Sequence, residues 1–188
     1  MGKRGTTGAI RRRTAAFAVA VAAIVAGVEA GPAGAITAPG VPPSLAVPAG
    51  NVLYAVGHAR GYQVYQCQAQ NDGFGWVLLY PYAGLTDDQG GSFALHYAGP
   101  SWRAADGSTV VGARVASAPA PSGTAIPWLL LRATSTSGPP GGTFSSTTFI
   151  QRINTTGGLA PATGCDASHV GATTAVFYTA DYYFYRAG

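Results

Sequence analysis

The feature that most constrains the fold is a succession of short runs rich in valine, tyrosine and other β-favouring residues. Between Asn51 and Arg186 these runs recur about every 8–15 residues, with Gly, Pro, Asn and Asp at the junctions. The dipeptide Asp106-Gly107 is typical of a hairpin turn, because glycine readily adopts a positive φ. No window of a dozen residues carries a capped apolar stripe of helical period, so long helices are not expected.

These runs predict an all-β domain, an antiparallel β-sandwich of about eight or nine strands, with a closed β-barrel as the alternative. The sequences NVLYAVGH and GYQVYQCQA are predicted as two strands separated by ARG. The sequence GPSWRAADG is interpreted as a loop between strands. A helical turn is expected only within residues 160–172. The last strand carries apolar residues on both faces, which is typical of a central strand covered on both sides.

Residues 1–35 have the pattern of a secretory signal peptide. A basic stretch that ends at Arg13 precedes an apolar stretch over residues 15–28, and the sequence AGA that ends at Ala35 fits a small-x-small cleavage site. The apolar stretch is shorter than the roughly 20 residues of a comfortable membrane span. We expect cleavage after Ala35 and secretion by the general or the twin-arginine route, with an N-terminal membrane anchor as the alternative.

The charge of the chain is concentrated in that leader. It holds five of the 11 basic residues and one of the seven acidic ones, which leaves six arginines and six aspartates from residue 36 onward. The balance leaves no basic surface that would indicate nucleic acid or an anionic membrane as a partner. The lack of lysine and glutamate after the leader, with abundant Ala, Gly and Arg, indicates a GC-rich bacterial genome.

Beyond the leader we expect a Pro-rich extended segment over residues 36–50 and a single all-β domain over residues 51–188. The segment holds four prolines and no charge, which favours an extended chain over packed structure. The roughly 150 residues left after cleavage are enough for one hydrophobic core. We expect a monomer without a cofactor and without a membrane-inserted segment.

Cys67 and Cys165 are the two cysteines of the chain. An exported chain meets an oxidising compartment, where an even number of cysteines favours a disulfide. In the chain-entropy account, closing a loop of this length stabilises the fold by about 4–5 kcal/mol. A Cys67–Cys165 disulfide is the prediction, and two buried free thiols are the alternative.

Five segments occur in a characteristic order and spacing: AGNVLYAVGHARGYQVYQC, HYAGPSWRAADGSTVVG, AIPWLLLRATSTSGP, IQRINTTGGLAPATGCD and YTADYYFY. Together they resemble the domain of unknown function 3455 family, small exported proteins of bacteria and fungi, over about residues 45–186. The resemblance implies a secreted single domain without an established activity, and it supplies no catalytic residues. Dehydrogenase-type names in some fungal members find no support, since the chain has no G-x-G-x-x-G after a strand and no βαβ alternation.

Motifs of the common hydrolases are missing. The sequence G-x-S-x-G does not occur, and a Cys165–His169 pair would lose its nucleophile to the disulfide. Asp87-Asp88 is the only adjacent pair of carboxylates, and within TDDQGG it is more typical of a hairpin turn than of a glycosidase or a calcium site. Enzymatic activity is therefore not the leading expectation.

Three imidazoles are present, at His58, His96 and His169. Three histidines on a rigid β-scaffold could bind zinc or copper. No two are spaced i, i+2 on a strand or i, i+4 on a helix, so a shared site would need three separate segments. A metal-dependent secreted enzyme that uses these three is the runner-up hypothesis. The simpler interpretation is three unrelated histidines with local hydrogen bonds or solvent contact.

Aromatic residues are the stronger functional signal. Three tryptophans and ten tyrosines are present, and exposed rings of these types stack on sugars or anchor a partner. Trp102 is expected to be the most exposed tryptophan because of its loop-like setting, so Trp102, Tyr97 and Arg103 form the predicted binding patch. The leading hypothesis is a non-catalytic module that binds a small molecule, a glycan or a cell-envelope component.

Asp181 lies within the aromatic run of the last strand. A carboxylate in such surroundings needs a partner, because an unpaired buried charge is very costly. We predict an arginine partner for it, either Arg114 or Arg152.

Overall fold

The predicted all-β class is confirmed. The computed structural model describes residues 1–3, 5 and 36–188, so the predicted signal peptide lies almost entirely outside the described residues. Eight antiparallel strands are present: β1 (Asn51–Gln70), β2 (Gly73–Thr86), β3 (Ser92–Tyr97), β4 (Ser101–Ala104), β5 (Thr109–Ala118), β6 (Trp128–Ser137), β7 (Thr147–Gly157) and β8 (Thr173–Ala187).

The eight strands follow chain order in one sheet, which closes into a barrel because β8 pairs with both β7 and β1. Of the two architectures that the sequence left open, the structure has the closed barrel and not the favoured sandwich. The deciding contact is the pairing of β1 with β8, which runs from Asn51 opposite Ala187 to Gln66 opposite Thr173. This pairing joins the first strand to the last, and local alternation carries no information about it.

β1 is one long strand where the sequence predicts two. The expected break at ARG includes Gly61, which lies inside the strand and pairs with both neighbours. A Cβ atom at Gly61 would fall on the Tyr82 carbonyl and on Ala83. Gly61 therefore marks a close approach of two strands and not a turn.

The connecting segments show one further difference and one agreement. Residues 101–104 form β4 where a loop was predicted, since the strand between the turns at Gly99 and Gly107 is only four residues long. The expected helical turn is confirmed as a 3-10 turn over Ala167–His169. Asp166 begins it, and its side chain accepts a hydrogen bond from the Ser168 N–H.

Alternate connections lie at opposite ends of a barrel built in this order. The β2–β3, β4–β5 and β6–β7 connections share one end, here called the plugged end. There Phe144 of the β6–β7 connection is buried, with its ring centroid 4.8 Å from that of Phe184 and 5.6 Å from that of Phe93. These three rings fill the interior at this end.

The other end, here called the open end, carries the β1–β2, β3–β4, β5–β6 and β7–β8 connections. The predicted disulfide is confirmed there, and it joins Cys67 of β1 to Cys165 of the β7–β8 connection. The backbone of Cys67 also pairs with the same connection, through hydrogen bonds with Gly171 and Ala172. The longest connection of the open end is thus attached to the barrel wall.

The Pro-rich segment before β1 is packed in part. Pro43–Leu45 forms a 3-10 turn, and the Leu45 side chain is fully buried. The Gln151 side-chain amide donates to the Leu45 carbonyl at 2.7 Å.

In the described part of the chain, no helix has the length and hydropathy to cross a membrane.

Candidate functional site

A cavity of about 540 Å³ lies in the barrel interior towards the open end. Every strand contributes to its lining, so closing the barrel is what creates it. One representative from each strand, in chain order, is Gln63, Leu78, His96, Trp102, Arg114, Leu129, Arg152 and Tyr182. Most of the lining is apolar, and such a cavity, in the mouth of a barrel, is a common setting for a small-molecule site.

Trp102 and His96 form the aromatic part of the lining. They face each other across the β3–β4 pairing, and their rings stack at 4.4 Å with an angle of 11° between the planes. Tyr182 packs edge-on against Trp102, with 5.3 Å between the centroids. The rings fix one another in place, so this wall of the cavity is preorganised.

His96 is neutral in this environment. Its Nδ1 atom lies 2.9 Å from the Ser101 carbonyl, which can only accept a hydrogen bond, so Nδ1 carries the proton. Complete burial lowers the pKa of His96 to about 3, and the hydrogen bond to Ser101 opposes that shift only in part. The imidazole therefore adds no charge to the cavity near neutral pH.

Two buried N–H groups of the lining have no hydrogen-bond partner among the described residues. They are the Nε2 amide of Gln63, which is 1% exposed, and the indole Nε1 of Trp102, which is 0% exposed. Burial raises the pKa of the Tyr178 hydroxyl and the nearby Gln63 side chain opposes that shift, but Nε2 makes no hydrogen bond of standard geometry. Native proteins leave few buried polar groups unsatisfied, so each of these N–H groups calls for an explanation.

The charged groups in the described lining of the cavity are two arginines, Arg114 and Arg152. Arg152 donates from Nε and Nη2 to the Pro127 carbonyl, at 3.2 and 2.8 Å. Burial raises the pKa of Tyr65 and of Tyr182, and the positive charge of Arg152 opposes both shifts. The cavity thus has a positive electrostatic potential near Arg152.

The predicted patch of Trp102, Tyr97 and Arg103 does not form one surface. The expected exposure of Trp102 is wrong, because its side chain points into the barrel. Arg103 follows it on β4, points outward and lines a separate open groove of about 610 Å³ together with His58. Tyr97 is half-buried at the end of β3. Successive residues of a strand face opposite sides, so Trp102 and Arg103 are separated by the sheet itself.

The three histidines lie in three different hydrogen-bond networks. His58 bridges two aspartates on the outside of the barrel, His96 is buried in the cavity wall, and His169 is exposed and bonds to Asp166. Among residues 36–188, no group of three or more His, Cys, Asp or Glu side chains is arranged to hold a metal ion. The structure does not bring together the three residues that the metal hypothesis requires.

The predicted arginine partner of Asp181 is wrong. Asp181 accepts from His58 Nδ1 at 2.7 Å and from the Asn154 side-chain amide at 2.8 Å. His58 lies directly opposite Asp181 in the β1–β8 pairing, which explains the first contact. Arg114 and Arg152 both line the cavity, Arg114 as a solvent-exposed residue, whereas Asp181 is on the outer face of β8.

Sequence reasoning missed Gln63 as a site residue. Gln63 shares the inward face of β1 with Tyr65 and Cys67, two positions along the strand from Tyr65. A polar residue on an otherwise apolar inward face was the available signal. The sequence predicts Arg114 and Arg152 as partners of Asp181 and gives no sign that they line a cavity.

Comparison with known families gives one match to the sequence of this chain. Residues 89–186, just over half of the chain, match the family described as protein of unknown function (DUF3455). The chain belongs to this family. The DUF3455 match begins in the β2–β3 connection and ends in β8, so it includes Trp102 and Arg152, while Gln63 precedes it. No curated protein and no solved structure matches the chain.

Proposed function

We propose that this DUF3455 protein is an exported, non-catalytic binding protein that holds a small, mainly apolar molecule in the open end of its barrel. The observation that carries the proposal is the cavity of about 540 Å³, lined by all eight strands and containing two buried N–H groups without partners. A few polar groups in an apolar concavity of this size are typical of a small-molecule site. The disulfide supports export, because disulfides persist in oxidising compartments.

A small molecule in the barrel is a better candidate than a glycan on the surface. Sugar stacking needs an exposed aromatic face, and the Trp102 ring is covered by His96 and Tyr182. The groove beside Arg103 is more open, and it lacks the unsatisfied buried donors of the cavity. The barrel interior therefore offers the more specific recognition.

Binding without catalysis is the favoured activity because of the groups that the cavity presents. Its imidazole, His96, has a pKa lowered to about 3 by burial, so it is a weak base near neutral pH. Its charged groups are arginines, which do not deprotonate in proteins. These side chains can hold and orient a ligand, and they do not form a paired base and nucleophile.

The test uses phenylnaphthylamine, a neutral apolar dye whose emission rises in apolar surroundings. We expect saturable binding with energy transfer from tryptophan, since Trp102 lines the cavity. Leu129→Trp fills the cavity from β6 and should weaken dye binding by about tenfold or more, since tenfold corresponds to about 1.4 kcal/mol. Circular dichroism confirms that the variant is folded.

Val115→Trp is the matched control. Val115 lies on β5 next to the cavity residue Arg114, but its side chain is 58% exposed on the outer face of the barrel. This variant should bind the dye as the original protein does. The proposal is wrong if the original protein shows no saturable binding of this dye or of an anionic dye with the same rings, or if Leu129→Trp and Val115→Trp bind equally well.

A further inference from the structure

We infer that the cavity selects an anion: a mainly apolar molecule that carries a single carboxylate or sulfonate-type group. The inference rests on the proposed function and adds the chemical class of the ligand. It combines the hydrogen-bonding character of the polar lining, the sign of its charges and the apolar nature of the remaining wall.

The unsatisfied polar atoms of the lining are both donors. Gln63 Nε2 and Trp102 Nε1 are each almost fully buried, and two of the three unpartnered buried side-chain nitrogens among residues 36–188 thus line this cavity. An indole nitrogen can only donate, and so can the amide nitrogen of glutamine. A ligand that satisfies them must bring hydrogen-bond acceptors into the cavity.

The charges of the lining have one sign. Arg114 and Arg152 line the cavity, and no aspartate does among the residues that the structure describes. The ion pairs found in residues 36–188 involve histidine and aspartate, so neither of these arginines is neutralised by a carboxylate. Arg152 donates from Nε and Nη2 to the Pro127 carbonyl, and its guanidinium also lies beside the Tyr182 hydroxyl, so its charge is met by neutral partners only.

An anionic group would both accept hydrogen bonds from the unpaired donors and balance the positive charge of the arginines. Carboxylate and sulfonate oxygens accept hydrogen bonds from amide, indole and guanidinium N–H groups, and hydrogen bonds that involve charge are the stronger ones. A cation would meet two like charges, and a neutral hydrocarbon would leave the two buried donors unsatisfied. The leucines and prolines of the wall, such as Leu78, Leu131 and Pro127, require that the rest of the ligand be apolar.

The test compares two dyes that share one ring system, anilinonaphthalene sulfonate and the neutral phenylnaphthylamine. We expect the sulfonate to bind about tenfold more tightly at low salt, and this preference to shrink as salt is added. Arg152→Gln, which keeps N–H donors but removes the charge, should reduce the preference at least several-fold. Gln63→Met should weaken the sulfonate more than the neutral dye, because it removes one of the buried donors.

Arg103→Gln is the control for general electrostatic attraction. Arg103 is exposed on β4 immediately after Trp102 and lies outside the cavity, so this variant should keep the preference. Equal affinity for both dyes, with Leu129→Trp still blocking them, overturns the anion inference and leaves the proposed function intact. Binding of neither dye overturns both. Sulfonate binding that survives both Leu129→Trp and Arg152→Gln reports a surface site and also overturns the inference.

Discussion

Gln63 places a primary amide on the inward face of β1, and its Nε2 atom has no hydrogen-bond partner. Leaving a buried donor unsatisfied costs about 1–3 kcal/mol. We therefore expect Gln63→Met, which keeps the volume but removes the amide, to raise the free energy of unfolding of the ligand-free protein by about 1 kcal/mol. Urea unfolding followed by fluorescence measures the change.

The matched control for this prediction is Gln89→Met in the exposed β2–β3 connection. A surface substitution of this kind usually changes stability by less than about 0.5 kcal/mol. If Gln63→Met destabilises the protein by as much as a typical core substitution, the amide makes a contact that the structure does not contain.

His58 is held between two carboxylates on the outside of the barrel. Its Nε2 atom lies 2.9 Å from Asp88 and its Nδ1 atom 2.7 Å from Asp181. Both partners are acceptors, so both ring nitrogens donate, and the imidazole carries a positive charge. The hydrogen bonds to Asp88 and then to Asp181 raise the pKa of His58, and burial opposes them.

A raised pKa in the folded state makes stability depend on pH with a definite sign. The stabilisation from protonated His58 is complete below the unfolded value of about 6.5 and is lost as the pH rises through the folded pKa. The melting temperature should therefore fall as the pH rises above about 6.5 and through the raised pKa of His58. His58→Gln should flatten that slope, and Asp88→Asn should reduce it in part. A slope unchanged by His58→Gln would contradict this assignment.

Residue-level predictions from the sequence were wrong where a strand was not recognised and where the contact depends on distant neighbours. Alternation already separates Trp102 from Arg103, so a single patch that contains both contradicts the β4 strand that forms there. The partner of Asp181 depends on the strand beside it, and only the β1–β8 register identifies His58. The cysteine pair needed no register, because the chain offers no other pairing.

Among the elements, the β6–β7 connection depends on one side chain from another turn. The Asp106 carboxylate accepts from the backbone and hydroxyl of Ser108, and from the backbone and hydroxyl of Thr143. Ser108 in turn accepts from the Phe144 N–H at 3.1 Å. The hydrogen bonds from Ser108 and Thr143 hold the pKa of Asp106 well below its usual range.

We expect Asp106→Ala to loosen the plugged end. It removes every acceptor that holds Thr143, the residue before the buried ring of Phe144. Amide hydrogen exchange in residues 138–146 should become several-fold faster, since exchange follows local opening. Asp72→Ala, in the exposed β1–β2 turn at the opposite end, is the control and should leave these amides unchanged. Unchanged exchange in Asp106→Ala would mean that packing of Phe144 alone holds the connection.

The elements themselves were largely predictable, and their closure was not. Alternation and turn residues located most of the strands, because both signals are local. The short strand β4 was missed because four residues are too few for an alternating pattern. Sandwiches and barrels share the same local sequence patterns. The difference between them depends on whether β8 pairs with β1, a contact between the two ends of the domain.

At the scale of the whole molecule, the barrel has two unequal ends. Phenylalanines fill one end, while the other keeps the cavity and the disulfide-linked β7–β8 connection. The cavity could not be predicted from the sequence, because its lining comes from all eight strands and exists only once the barrel closes. The sequence contains the lining residues, such as Gln63, Trp102 and Arg152, but it does not show that they come together.

The disulfide is the longest covalent constraint on this architecture, since Cys67 and Cys165 are 98 residues apart. In the chain-entropy account a loop of that length stabilises the folded state by about 4–5 kcal/mol. For a domain of roughly 150 residues this corresponds to a melting temperature about 10–15 °C lower after the double substitution Cys67→Ala and Cys165→Ala. Differential scanning calorimetry measures the shift.

A reducing agent provides the control for that measurement. It should lower the melting temperature of the original protein and leave the double variant unchanged, since the variant has no cysteine. A shift much smaller than expected would mean that the unfolded chain retains contacts between β1 and the β7–β8 connection, where the folded protein has backbone hydrogen bonds to Cys67. In that case the unfolded chain would lose little entropy to the crosslink, and stability at the open end would come from the β-ladder itself.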